Sequence, residues 1–376
     1  MIAGKDEDDP FSRGIALGRL GPPPPHPVIG IPRPADQKFF GDAAAKAAWR
    51  AGLKTLKDLG AELVEIDMAP FNEVAALLYE GPWVAERYAA IGPFLAKHAR
   101  EMHPVTRRII EKAKAFSAAD AFAGLYRLEA LKRATEPVWL SIDALAVPTA
   151  PCAPTLREVD ADPLGPNSRL GTYTNFVNLL DLAAIAVPGA MRKDGRASGI
   201  TFVGPRGRDA ALVSLGRVFH AAAAATIGAT GRSLPPLEPL SPAAPTGTLE
   251  LAVVGAHLSG MALNHELRAS GGLFLRAVET EPSYELYALP GGPPERPGLV
   301  RVASGTGRAI ATEVWALPAE AFGRFVAGIP PPLGIGTLLL ADGTRPKGFL
   351  CEGEAIRAAK PISSYGGWRR YMAAKS

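Results

Sequence analysis

Two groups of residues have the types and the spacing that chemistry needs. The first is Y-E-G-P-W-V-A-E-R, running from Tyr79 to Arg87. A guanidinium stays charged at any working pH and can pair both oxygens of a carboxylate, and a phenol can add one directed hydrogen bond. The Gly81-Pro82 step between them should interrupt a helix, with Pro82 suited to a first helical position, so that both side chains turn toward one cleft. In an arbitrary helix the same residues would be core aromatics and a solvated cation. The second group is His257 and His265, which flank the loop in V-V-G-A-H-L-S-G-M-A-L-N, Val253–Asn264. A strand that runs into a Gly-containing loop can turn backbone N–H groups toward an anion. Histidine is the side chain that can give or take a proton near neutral pH. A capping or loop hydrogen bond is the plainer role for each.

Nucleophilic chemistry has no such residues. An ordinary hydroxyl is inert until a base takes its proton, and backbone donors must hold the developing oxyanion. No G-x-S-S-G or equivalent glycine-serine loop occurs before Arg13 or anywhere in the first two-thirds of the chain. Ser270-Gly271-Gly272 imitates a fragment of one and reads as a turn. His98 and His103 sit on charged helical stretches and His220 heads an alanine run, so all three read as surface or capping residues. Cys152 and Cys351 make no CxxC or Cys/His cluster and read as a reduced cytosolic pair, with no metal and no cofactor expected.

Composition narrows the remaining classes. With 376 residues the chain can bury two cores, and 47% apolar with 21% charged residues fits a globular protein. The 41 cations exceed the 37 anions only slightly and form no block, which argues against a nucleic-acid partner. The N-terminal MIAGKDEDDPFSR is acidic and polar, unlike a signal peptide, and the apolar run Leu182–Pro188 is too short to span a bilayer. No membrane partner is therefore expected.

These residues must be carried on ordered elements. Leu234–Gly247, LPPLEPLSPAAPTG, has the composition of a semi-rigid linker and divides the chain into 1–233, a linker at 234–248, and 249–376. Gly21–Pro34 is a second proline-rich stretch, read as a surface connector with a short strand at Val28–Ile31. Before the linker, helices alternate with short apolar strands. Helices are expected at Ala43–Leu59, in long stretches to Trp139, near Tyr173–Leu182 and at Asp209–Ala225. Strands are expected at Ala61–Ile66, Ala144–Val147, Ala183–Val187 and Gly199–Val203. That alternation is the pattern of an α/β layered sheet. After the linker, six strands are separated by Gly and Pro, with short helices near Leu263–Ala269 and Pro318–Val326. This is an α+β module with a small twisted or barrel-like sheet.

Over nearly its whole length the sequence resembles allophanate hydrolases of the amidase-signature family. The resemblance rests on Tyr79–Arg87, on D-E-D-D-P-F-S-R at Asp6–Arg13, on D-A-L-A-V-P-T-A-P-C-A-P-T at Asp143–Thr155, and on the passage Arg169–Pro205. It continues through Leu249–Leu289, R-A-I-A-T-E-V-W-A-L-P at Arg308–Pro318, and T-R-P-K-G-F-L-C-E at Thr344–Glu352. The resemblance implies a partial amidase-signature layered mixed sheet followed by a small γ-glutamylcyclotransferase-like α+β domain. It implies allophanate, or a related carboxylated urea, as a small-molecule substrate bound by Tyr79 and Arg87, with Arg169 as a lesser carboxylate partner. Family members use a serine nucleophile, a second serine in a cis peptide and a lysine. None of these is matched here, so the chain is expected to lack that N-terminal part and not to hydrolyse amides alone.

True cyclotransferases carry a carboxylate after the helix that follows the late strand, where this chain reads V-A-G-I-P-P-P-L-G-I-G, Val326–Gly336. Cyclotransferase chemistry is accordingly the weakest reading. The second domain of allophanate hydrolases is linked instead to decarboxylation of N-carboxycarbamate, which makes His257 and His265 the candidate catalytic residues. The alternative is a non-catalytic half that complements a separate amidase half; a second copy of the chain or such a fragment are the candidate protein partners.

Overall fold

The computed structural model describes residues 4–15, 18–224, 226–240 and 243–375, and the backbone alone of Tyr79. The chain forms two compact units. One consists mainly of Ile29–Leu59 and Leu63–Leu237; the other is Glu238–Ser376 joined by Arg19–Val28 and Gly60–Glu62. The division at Leu237 falls inside the proline-rich stretch, and the two short earlier segments are not visible to a boundary drawn along the sequence.

The first unit is a mixed sheet with helices. Its strands are β1 (Val28–Pro32), β2 (Glu62–Ile66), β3 (Ala144–Pro148), β4 (Leu182–Pro188) and β5 (Gly199–Pro205), ordered β2-β1-β3-β5-β4. β1 and β3 are parallel, while β5 is antiparallel to both β3 and β4. Every residue of β3 is buried, as the unbroken apolar run A-L-A-V-P requires of a strand covered on both faces. The helices are α1 (Ala43–Asp58), α2 (Ala69–Tyr79), α3 (Val84–His98), α4 (Pro104–Glu111), α5 (Ala118–Ser141), α6 (Leu156–Ala161), α7 (Gly165–Leu170), α8 (Phe176–Leu179) and α9 (Asp209–Ala223). The Asp42 carboxylate caps α1 by accepting from Ala45 N–H at 2.8 Å and also pairs with the buried Arg192 guanidinium at 2.9 Å.

The helix expected near Tyr173–Leu182 is reduced to the single turn of α8. Asp181 takes a left-handed φ of 55°, which ends the turn, and Leu182 already belongs to β4. Arg13 and Arg206 both pair with the Asp181 carboxylate and hold it well below the usual carboxylate range. Tyr173 is buried, and its hydroxyl accepts from Lys38 N–H at 2.6 Å, so it is a packing residue.

The interruption at Gly81-Pro82 is present. Glu80 N–H still reaches Ala76 O at 2.8 Å, and the chain then turns through Ala85 N–H to Pro82 O at 2.8 Å before α3 begins. Pro82 therefore stands just before the cap residue Trp83 rather than at the first helical position. A methyl group at Gly124 of α5 would lie 2.6 Å from Pro82 Cγ and 3.2 Å from the Trp83 ring. The break is thus clamped by a helix that comes too close for any Cβ.

The second unit has a five-stranded sheet, a three-stranded sheet and short helices. Its elements are β6 (Thr248–Val253), α10 (Asn264–Ala269), β7 (Leu273–Glu279), β8 (Tyr284–Ala288), β9 (Pro297–Arg301), β10 (Ala311–Pro318), α11 (Ala319–Ala327), β11 (Leu333–Thr337), β12 (Lys347–Cys351), β13 (Lys360–Pro361) and α12 (Trp368–Lys375). The sheets run β11-β12-β6-β10-β7 and β13-β8-β9. β10 is the central antiparallel partner of β6 and β7, and its Val314, Trp315, Ala316 and Leu317 are buried in the core. Ser270-Gly271-Gly272 is the C-terminal cap of α10: Gly271 has φ 74°, and Gly272 N–H returns to Leu267 O at 2.8 Å.

A Gly124→Ala change should destabilise the protein although alanine favours a helix. The helix gain is about 1 kcal/mol, and forcing a methyl into the occupied space costs about 1–3 kcal/mol. Thermal melting should show a lower midpoint; an unchanged or raised midpoint would mean that α5 can retreat from Pro82.

Candidate functional site

The candidate site of the second unit grows from the end of β6. Leu251, Ala252 and Val253 are fully buried, which fixes the strand, and the chain leaves it as the loop Val254–Leu263. The loop is folded on itself by Leu258 N–H to Gly255 O at 3.0 Å and Leu263 N–H to Ala256 O at 2.8 Å. Gly255 is required because a Cβ there would stand 2.5 Å from Pro297 Cγ and Cδ, and Gly260 because its φ is 70°. Ser259 is tied down by Glu313 of β10. The carboxylate accepts from Ser259 N–H at 2.8 Å, Ser259 Oγ–H at 2.6 Å and Trp315 Nε1–H at 3.2 Å, with Arg369 at 3.4 Å. Burial pushes the Glu313 carboxyl up, and these donors oppose that rise.

His257 is carried on this loop and is withdrawn from water. Its ring stacks on Phe349 at 5.3 Å and 13°, and Phe325 meets it edge-on at 5.0 Å. Glu266 Oε2 on α10 lies 3.0 Å from His257 Nε2. Burial pulls the imidazole below its ordinary value, Glu266 acts against that, and Arg296 adds to it. The ring faces a cavity of about 300 Å³ lined also by Gly255, Glu266, Arg296, Arg324 and the turn Gly328–Pro330. That turn lies within Val326–Gly336, which has no Asp or Glu, and the cavity's carboxylate comes from α10.

His265 neighbours His257 but is not part of the cavity wall. Its Nδ1 lies 3.0 Å from Ala262 O. In the first unit Tyr79 is the last residue of α2 and Arg87 stands in the first turn of α3, half-buried, so the two flank the break. The Tyr79 side chain lies outside the described residues. Arg169 is exposed near the end of α7, with its guanidinium 5.4 Å above the Phe40 ring. A cavity of about 360 Å³ in this unit is lined by Trp49, Thr149, Cys152, Arg192 and Ser198, and by none of these three candidate residues. Burial pushes the Cys152 thiol up, which keeps it protonated and a poor nucleophile. Among the described residues no group of three His, Cys, Asp or Glu side chains could hold a metal, and no helix is long and apolar enough to cross a membrane.

The amidase family model matches residues 19–213, more than half of the chain. The chain belongs to the amidase family. Residues 249–373 match the allophanate hydrolase C-terminal domain, so the cavity around His257 lies in that domain. This amidase-family chain is 38% identical to the urea amidolyase of Lachancea kluyveri over 379 aligned positions, covering 97% of the chain and 21% of the relative. It is 39% identical to that of Saccharomyces cerevisiae, covering 97% and 20%. Among solved structures it is similar to the Kluyveromyces lactis allophanate hydrolase, with 37% identity, a TM-score of 0.66, and coverage of 99% of this chain and 63% of that one. The chain thus spans about a fifth of the length of these two curated relatives.

Sequence reasoning found His257 from its place after Gly255, but not Glu266, Arg296, Phe325, Phe349 or Glu313. Glu313 does fall inside a motif that carried the family resemblance. A Glu266→Gln variant should show a His257 pKa still lower than in the wild type, because the carboxylate that counters burial is gone while burial stays. An NMR pH titration of the His257 ring proton reads this directly; an unmoved or raised midpoint would deny the pair a working contact.

Proposed function

We propose that the chain serves the breakdown of allophanate in urea degradation, and that its second unit releases CO2 from N-carboxycarbamate. The observation that carries this reading is His257, half-buried at a cavity beside Glu266 and Arg296 within the allophanate hydrolase C-terminal domain. Likeness to allophanate hydrolase and to urea amidolyases supplies the pathway.

The chemistry is a protonation coupled to loss of CO2. The dianion carries two carboxylates on one N–H nitrogen. One C–N bond breaks, its electron pair stays on nitrogen, and CO2 departs. The proton needed at nitrogen comes from the His257 imidazolium, leaving the carbamate anion with its amino group and one carboxylate. A free imidazole in this cavity resists protonation, and an arriving dianion favours it. Glu266, which is partly exposed, can restore the proton from solvent. In the first unit Tyr79 and Arg87 bind the carboxylate of allophanate, with Arg169 as a weaker partner, so the two units act on successive species of one pathway.

The test supplies N-carboxycarbamate in situ from allophanate with a separate amidase that lacks decarboxylase activity, and follows CO2 release. The purified chain should accelerate it. His257→Asn should remove about 10²–10⁴-fold of the acceleration, the usual contribution of a positioned acid, and the rate should fall as pH rises and the imidazolium is lost. A chain no better than buffer, or an undiminished His257→Asn variant, would reject the assignment.

One observation favours a second reading, a recognition half completing a separate amidase segment. β4 is an edge strand whose sequence, L-A-A-I-A-V-P, has no charge, and most of its residues are accessible. Such edges pair readily with another chain. Coexpression with an amidase segment that carries the serine loop should then give a stable complex that Ala184→Pro disrupts; two components that elute separately would exclude it.

A further inference from the structure

The cavity that holds His257 and Glu266 is also lined by the Arg296 guanidinium. Arg296 stands immediately before β9, is half-buried, and makes no side-chain hydrogen bond or ion pair among the described residues. Its neighbours in the same unit behave otherwise. Arg276 pairs with Glu250 and Asp342 at 2.9 Å each, Arg369 faces Glu313, and Arg324 at the cavity wall pairs with Glu320. Withdrawing a cation from water without a partner costs free energy unless something restores the balance. The position of Arg296 is felt at the site, since it disfavours the charged form of His257.

Two further observations point the same way. The backbone N–H groups of Gly255, Ala256 and His257 have no acceptor among the described residues, and all three residues line the cavity. Apart from Glu266 and Arg324, the rest of the wall is largely apolar, with Leu263, Phe325, Ile329 and Phe349. Beside the His257–Glu266 pair, the cavity therefore offers one bidentate receptor in Arg296, a set of weaker backbone donors, and a largely apolar surround.

We infer that Arg296 is the carboxylate receptor of this cavity and makes it selective for dicarboxylate anions. One carboxylate pairs with the Arg296 guanidinium while the other end of the anion lies at His257. This deepens the decarboxylation reading and rests on it for the reaction, though not for binding. It sorts the species of that pathway by charge: N-carboxycarbamate has two carboxylates, whereas allophanate and carbamate have one each. It also decides which of two equivalent carboxylates leaves. The one held by Arg296 is retained as carbamate, and the one in the apolar surround loses its solvation and departs as CO2 when the nitrogen takes the proton from His257.

Malonate is the stable probe, with a methylene in place of the N–H, and malonamate, its monoamide, is the single-charge control. Calorimetric titration of the whole chain carrying Arg87→Met, which removes the carboxylate site proposed for the first unit, should show malonate binding at least about tenfold tighter than malonamate, as expected when one charge-assisted pair is lost. Arg296→Met should weaken malonate about tenfold or more and erase that preference. Arg296→Lys, which keeps the charge without the fork, should fall between, and serves as the informative variant if the methionine form does not fold. His257→Asn should still bind malonate. Absence of malonate binding, equal affinity for malonate and malonamate with Arg296 intact, or undiminished affinity in both Arg296 variants would each overturn the inference. Malonate binding that depends on Arg296 without any CO2 release would defeat the decarboxylation reading alone.

Discussion

The buried Glu313 carboxylate is the interaction on which the second unit's site depends. It lies on the central strand β10 and holds the β6 loop through both the amide and the hydroxyl of Ser259. A charge this deep is tolerated only when its oxygens are satisfied, and here Ser259, Trp315 and Arg369 supply the donors. Removing one side of such a group costs about 3–5 kcal/mol because the remainder is left buried and unpaired. The consequence reaches the site at once, since His257 is two residues from Ser259 on the same loop. Ring stacking on Phe349 then fixes the imidazole, and Glu266 fixes the proton.

The first unit solves a different problem, placing a helix break between Tyr79 and Arg87. Glycine and proline stop α2, but they do not set the direction in which α3 departs. That is decided by α5, which approaches so closely at Gly124 that no side chain fits against Pro82. The helix break in one unit and the loop that carries His257 in the other thus rest on the same kind of constraint. In each a glycine, Gly124 or Gly255, permits a contact that any Cβ would forbid.

Much of the fold was legible because its signals are local. The apolar runs of β3, β6 and β10 and the amphipathic α1 read correctly from their periodicity. The reading of a helix at Tyr173–Leu182 failed for a physical reason: Asp181 adopts a left-handed backbone, held by Arg13 and Arg206 from far along the chain. No periodicity carries that information.

The sequence by itself determined the family and the kinds of element, and it offered His257 as a candidate, because a strand followed by a glycine loop is written in consecutive residues. Only the tertiary structure decided what surrounds that histidine. Glu313 lies 54 positions from Ser259, and Phe349, Arg296 and Glu266 arrive from three further elements. Their meeting depends on strand register and on which loops a buried carboxylate can hold. The chemistry of the cavity is therefore a property of burial and proximity, both of which exist only once the chain is folded.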